Sequence, residues 1–339
     1  MTDQNAKDFL EQYTGEASQE FFTLAQSGSA RINFVGKSSE AKYIITYNEN
    51  IRENESFYYF STLFSDLKAR APKVLKISED RKLYIQEFLG NRTLSEIIDA
   101  EGLTERIINL VKKTLQQLAE VQIKSEDQID YSKTFEYEKY DDLPITNDLY
   151  YFKSFIADVL EIPYHKSFLL LEFKKLVSKI EKLEPTGLMM RDFQARNIMV
   201  NDQDEVFFID YQSAMKGPLI YDVISFLYQA KANFPVTFKN EMLDYYFSFW
   251  NAEKATQLKD SVKPIQLIRF LQVLGAYGFR GLIQRKQHFI SSIDKGIENL
   301  FQFSNSWEEM EKYPELKNLI NELNSAESRR KIKRLISNE

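Results

Sequence analysis

The run Gly187-Leu-Met-Met-Arg-Asp-Phe-Gln-Ala-Arg-Asn-Ile-Met-Val200, then Asn201-Asp-Gln-Asp-Glu205, then Val206-Phe-Phe-Ile-Asp-Tyr-Gln212 decides how the chain reads. Two apolar runs, Ile198–Val200 and Val206–Ile209, flank a polar stretch, the pattern of a hairpin. A turn centred between Gln203 and Asp204 sets Asn197 opposite Asp210, an amide beside a carboxylate at the open end. Asp192 lies five residues before that end, on a loop able to fold back over it. Mg²⁺ is a hard cation that takes oxygen ligands, often one or two carboxylates plus phosphate oxygens. Asn197 and Asp210 are candidates to supply the protein oxygens. Asp192 is then placed to take a proton from an attacking hydroxyl. Phosphoryl transfer asks the protein mainly for positioning and charge neutralisation, so few residues suffice.

Arg191-Asp192-xxxx-Asn197 followed by Ile209-Asp210 resembles a kinase catalytic loop and its metal-binding aspartate. The surrounding residues resemble the aminoglycoside phosphotransferase/choline kinase family. Arg191 to Met199, and Asp210-Tyr-Gln-xxxx-Gly217-Pro218-xx-Tyr221-Asp222, look closest to its bacterial amino-sugar kinase branch. That branch phosphorylates N-acetylmuramate and N-acetylglucosamine at the anomeric hydroxyl in cell-wall recycling. The resemblance implies a protein-kinase-like bilobal α+β fold. A small antiparallel-sheet N-lobe over residues 1–89 binds nucleotide. A larger, mainly helical C-lobe over 90–339 carries the catalytic loop and the acceptor site. It implies ATP or GTP as co-substrate, Mg²⁺ as cofactor and a small-molecule acceptor.

Carried over, the resemblance makes Asp192 the catalytic base and Asn197 and Asp210 the metal ligands. It puts Gly28 and Ser29 in a phosphate-covering turn, and Glu87 and Leu89 in a hinge over 86–90 that holds adenine through backbone groups. Glu53, with Glu55 as the other candidate, is the glutamate that pairs with a phosphate-binding cation. Asp222 is the structural aspartate behind the site. Two departures stand out. Met190 replaces the usual histidine before Arg-Asp, so the loop is braced there by packing. Thr46 stands where the phosphate-pairing lysine is expected, leaving Arg31, Lys37 or Lys42 to bring the charge.

Outward from this segment, residues 5–25 have loose helical spacing. Ala30–Val35 and Ala41–Tyr47 read as a hairpin. Residues 51–68 return to helix, with Phe57, Phe60 and Phe64 on one face. Val74–Ile77 and Leu83–Phe88 are short strands. Leu94–Ala100, with Thr93 as cap, and Thr104–Ile123 are helical, and so is most of the chain from Tyr221 onward.

Several residues carry two readings. Gln194 and Arg196 touch substrate or brace the loop. Tyr211 and Gln212 line an acceptor pocket or pack beneath the loop. Asp148 borders the acceptor site or caps a helix, and the cap is favoured. Gly275, Gly278 and Gly281 point to close helix packing. The basic run Arg329–Arg334 reads as a solvated helix end.

Composition narrows the function classes. The 339 residues contain no cysteine, which excludes disulfides, thiolate metal sites and a cysteine nucleophile. Two histidines leave little room for a histidine-rich metal site. A net charge of −6 argues against nucleic-acid binding. The sequence shows no secretory signal and no long apolar run, so no membrane partner and a cytoplasmic location are expected. Its charge permits an aminoglycoside as the next acceptor after an amino sugar. A non-catalytic nucleotide-binding regulator is the alternative of another class.

Overall fold

The computed structural model describes residues 3–25 and 30–337. The fold is α+β. It opens with α1 (Asp3–Thr14), β1 (Glu20–Thr23), β2 (Ile32–Lys37), β3 (Lys42–Tyr47), α2 (Ile51–Asp66), β4 (Val74–Ile77) and β5 (Leu83–Glu87). The five strands form an antiparallel sheet in the order β1-β2-β3-β5-β4. The single helix expected over residues 5–25 is in fact a helix and an edge strand. Gly15 turns the backbone to φ 74° just past Thr14, and Glu20–Thr23 then pairs with Lys37–Phe34. Phe21 stacks on Phe34 with ring centroids 5.3 Å apart. A four-residue strand is too short to show its alternation against the helical spacing before it. Ala6 and Leu10 of α1 pack with Phe34, Ile45, Leu83 and Ile85 to form the core under the sheet.

Next come β6 (Arg92–Thr93), α3 (Leu94–Glu101) and α4 (Glu105–Lys124). Thr93 caps α3 through a capping box with Glu96, and Thr104 caps α4. The chain continues through α5 (Asp142–Phe152), α6 (Lys166–Ile180) and β7 (Thr186–Met189), then β8 (Ile198–Val200) and β9 (Val206–Phe208). It ends with β10 (Met215–Pro218), α7 (Ile220–Leu227), α8 (Val236–Phe247), α9 (Ala252–Tyr277), α10 (Gln287–Ser306), α11 (Pro314–Leu323) and α12 (Ala326–Ser337).

Two compact units emerge. One joins the residues up to 138 with 190–215; the other joins 139–189 with 216 onward. β6 pairs with β8, and β8 with β9, so the residues after the sheet and the β8–β9 hairpin hold together by main-chain hydrogen bonds. In the second unit α9 is the central helix, packed by α5, α7 and α10. There β7 pairs with β10. No helix among the described residues is long and apolar enough to cross a membrane.

Candidate active site

The β8–β9 hairpin is built differently from the symmetric turn that the sequence suggests. Its register pairs Ile198 with Phe208 and Val200 with Val206. That sets Asn197 against Ile209, whose N–H donates to the Asn197 carbonyl at 3.0 Å. The register is one residue away from the expected pairing because the turn has an odd length. The Asn201 side chain accepts from Gln203 N–H and Glu205 N–H, and Asp204 sits at φ 55°. Asp210 still reaches Asn197, by another route. Its backbone adopts φ 64°, the left-handed region that non-glycine residues seldom occupy. This turns the carboxylate back, and Asn197 Nδ2 donates to Asp210 Oδ2 at 3.3 Å.

The loop that carries Asp192 closes on the same amide. Arg191, also left-handed at φ 65°, lets the Asp192 N–H donate to the Met190 carbonyl at 2.8 Å. Asn197 Nδ2 also donates to the Asp192 carbonyl at 2.8 Å, and the Asn197 N–H to the Gln194 carbonyl at 2.8 Å. One asparagine thus ties the loop to the carboxylate that follows the hairpin. Met190 is buried, in line with bracing by packing. Asp192 is half-buried and Arg196 is exposed.

Of the three candidate cations, Arg31 is the one at the Asp210 carboxylate. Its guanidinium donates to Asp210 Oδ1 and lies 3.5 Å from Glu53 Oε1. Glu53 stands in the first turn of α2, which Asn50 caps, and it also accepts from Asn48 Nδ2 at 2.8 Å. Glu55, the other candidate, pairs with Arg81 on the surface. Lys37 pairs with Glu20 at 3.3 Å, and Lys42 lies over the Phe88 ring. Thr46 is buried. It donates to Asn33 Oδ1 at 2.8 Å and accepts from Gln86 Nε2 at 3.2 Å. Burial acts to raise the Asp210 carboxyl. The Arg31 charge and hydrogen bond, a hydrogen bond from Gln212 and the Arg196 charge override it and hold the group below its usual range.

Beneath the site, Gln212 is buried and donates from Nε2 to Asp210 Oδ1 at 3.1 Å; its Oε1 has no partner among the described residues. The Gln212 carbonyl accepts from Ser56 of α2 at 2.8 Å. Tyr211 stacks on Phe57, with centroids 5.1 Å apart, and shares a hydrogen bond with Ser61 at 2.7 Å.

Of the remaining expected residues, Glu87 ends β5, where Lys73 N–H donates to its carboxylate at 3.1 Å. Leu89 lies in the segment between β5 and β6. There Gly90 takes φ 125°, and a Cβ at that position would meet the Val200 carbonyl at 3.1 Å. Gly28 and Ser29 lie outside the described residues. Asp148 and Asp222 belong to the second unit. Asp148 is not the helix cap, a role taken by Asp141; it is buried inside α5 and accepts from the Tyr140 hydroxyl at 2.8 Å. Asp222 is buried in α7. The sequence reading missed Arg106 and Lys113 of α4. They hold the hairpin turn through the Asp204 carboxylate, at 2.6 Å, and the Asp204 carbonyl, at 2.8 Å. Ninety-eight positions separate Arg106 from Asp204, and no local pattern links them.

Asn197 and Asp210 offer an amide and a carboxylate, a donor set that fits Mg²⁺ when phosphates complete its shell. No group of three or more histidines and carboxylates able to hold a metal by itself occurs among the described residues.

Residues 29–259 match the sequence pattern of the phosphotransferase enzyme family. The chain belongs to that family. This family member is a phosphotransferase. No curated protein sequence matches it. Its fold is shared with an ethanolamine kinase of Plasmodium vivax, at 17% identity over 84% of this chain and 82% of that one, with a TM-score of 0.58. It is also shared with a choline kinase of Streptococcus pneumoniae, at 13% identity over 89% and 100%, with a TM-score of 0.60. An aminoglycoside phosphotransferase, solved as a ternary complex with ADP and hygromycin B, aligns at 18% identity over 86% and 98%, with a TM-score of 0.56.

Proposed function

We propose that this phosphotransferase moves the γ-phosphoryl group of ATP, or GTP, to the anomeric hydroxyl of an amino sugar, with Mg²⁺ as cofactor. The observation that carries the phosphoryl chemistry is the gathering of Asp192, Asn197, Asp210, Glu53 and Arg31 around one hairpin end. Asp192 takes the proton of the attacking hydroxyl. Asn197 and Asp210 hold the metal, which neutralises phosphate charge when bound. Arg31 does the work of the absent lysine: Glu53 orients it from α2, and its fork meets phosphate oxygens. Gln212 fixes the Asp210 carboxylate from below. The amino sugar itself is supported by the residues of the catalytic segment, Arg191 to Met199 and Asp210 to Asp222. The structural similarity to an enzyme solved with hygromycin B supports an aminoglycoside as the second reading.

The test is ADP release from MgATP over a panel of N-acetylmuramate, N-acetylglucosamine, kanamycin, choline and homoserine, with Asp192→Asn as the blank. Release that depends on an amino sugar and vanishes in the variant is the expected outcome. Release with kanamycin alone favours the second reading. Nucleotide binding without release for any acceptor, and no effect of Asp192→Asn on it, points to the non-catalytic regulator.

A further inference from the structure

Protein donors meet both carboxylate oxygens of Asp210. Oδ1 accepts from the Arg31 guanidinium and from Gln212 Nε2, the latter at 3.1 Å. Oδ2 accepts from Asn197 Nδ2 at 3.3 Å. The two amides are neutral and leave the charge of the carboxylate open to a metal. Arg31 differs, because it brings a full positive charge to Oδ1. Mg²⁺ sits about 2.1 Å from an oxygen ligand, and a charged N–H donor about 2.8 Å from a carboxylate oxygen. Both on Oδ1 would stand at most about 5 Å apart and repel. The Arg31 side chain is 13% exposed, so solvent screens that repulsion weakly.

The guanidinium has a second anchor. Its Nε lies 3.5 Å from Glu53 Oε1, and Glu53 is itself held in the first turn of α2 by Asn48 Nδ2 at 2.8 Å. Glu53 and Asp210 meet different atoms of the fork, Nε and Nη2. The Nη2 end can therefore pass from Asp210 to another anion while Nε stays with Glu53. A phosphate oxygen is such an anion, and it matches the fork. It takes the donor that Asp210 gives up, and Asp210 is left for the metal. Without phosphate, a metal arriving at Asp210 would take that carboxylate from a part-buried guanidinium and return nothing.

We propose that Arg31 and the divalent metal exclude each other at Asp210, so that the metal is taken up with the nucleotide's phosphates and not ahead of them. The inference rests on Asp210 as a metal ligand, the reading given above, and adds an order to it. The ion pair keeps the site closed to free metal, and the phosphates open it. Towards the metal, Arg31 is thus a positioning residue that acts through Asp210.

The probe is Mn²⁺, followed by the paramagnetic resonance signal of the free ion, with the full chain and no nucleotide. Wild type should bind it weakly. Arg31→Ala should bind it at least about tenfold more tightly, as removal of a like charge about 5 Å away implies. Asp210→Asn in that background should abolish the gain. Arg31→Lys keeps the charge and should stay near wild type; a gain as large as that of Arg31→Ala would trace the effect to something other than charge and overturn the inference. Arg31→Gln carries the comparison if Arg31→Ala fails to fold. Equal Mn²⁺ affinity in wild type and Arg31→Ala, lost from both with Asp210→Asn, overturns the inference and leaves Asp210 as a metal ligand. Mn²⁺ binding that Asp210→Asn changes in neither background removes the metal-ligand reading and the inference with it. So does an Arg31→Ala chain that takes up no Mn²⁺.

Discussion

Replacing Arg31 with alanine removes the guanidinium that touches both Glu53 and Asp210. The Arg31 side chain is 13% exposed, that of Glu53 17% and that of Asp210 30%, so the variant leaves two part-buried carboxylates without their shared cation. Breaking a fully buried pair costs about 3–5 kcal/mol, and the partial exposure of Asp210 brings this nearer ~2 kcal/mol. The melting temperature should then fall by roughly 3 °C. Catalysis should suffer more. Removing one preorganised donor from a developing phosphoryl charge costs on the order of 10²–10³ in rate, and kcat/KM for ATP should drop by that factor. Arg31→Lys should fall between, because it keeps a charge but loses the fork. Lys37→Ala, exposed and paired with Glu20, should match the wild type. The assay is coupled ADP release with the acceptor found active, beside a thermal melt. A kcat/KM for Arg31→Ala within about threefold of wild type would refute the assignment, since such a change is too small for a phosphate contact.

Three other outcomes follow from the same geometry. Thr46→Lys alone should destabilise, because it buries a second cation beside Arg31; in the Arg31→Ala background it should restore at least about tenfold in kcat/KM, and simple additivity of the two losses would contradict this. Acid denaturation should sense Asp210. Its folded carboxyl titrates below the ordinary 3.8, so the unfolded chain binds the extra proton, the stabilisation is complete above that value, and it drains as pH falls through the lower one. Asp210→Asn should flatten this limb in denaturant titrations between about pH 2 and pH 5, and an unchanged slope would count against the Arg31 pair. In the second unit, a Cβ at Gly278 would lie 2.2 Å from the Phe155 carbonyl oxygen, whereas at Gly281 its nearest contact is 3.3 Å. Gly278→Ala should therefore cost about 1–3 kcal/mol in urea unfolding, more than Gly281→Ala, and the reverse order would show the packing to be misjudged.

The grouping of the candidate site residues was legible because their spacing is local. Asp192, Asn197 and Asp210 sit within one loop and one hairpin, and residue type alone points to their chemistry. The means by which Asp210 meets Asn197 was not legible. Pairing by an even turn gives the right neighbours for the wrong reason; the structure uses an odd turn and then a left-handed residue. Backbone handedness at an aspartate leaves no mark in the sequence. That Arg31, and not Lys37 or Lys42, contacts Glu53 and Asp210 needed the third dimension, since all three lie within a dozen positions. The edge strand Glu20–Thr23 was hidden because its partner strand, and not its own alternation, defines it. Asp148 looked like a cap because it precedes an apolar run, yet α5 had already begun at Asp142 under the cap of Asp141.

The stack of Tyr211 on Phe57 has a regulatory consequence. Protein kinases switch by moving the helix that carries the glutamate toward or away from the metal-binding segment. Here that helix is fastened to the residues just after Asp210 three times: by the Phe57–Tyr211 stack, by the Ser61–Tyr211 hydrogen bond and by Ser56 on the Gln212 carbonyl. Swinging α2 outward would strip an aromatic contact and two buried hydrogen bonds at once. An enzyme wired in this way is expected to lack an off position of that kind. Its output should track the supply of nucleotide and acceptor from the first turnover, without a lag and without an activating modification on the helix.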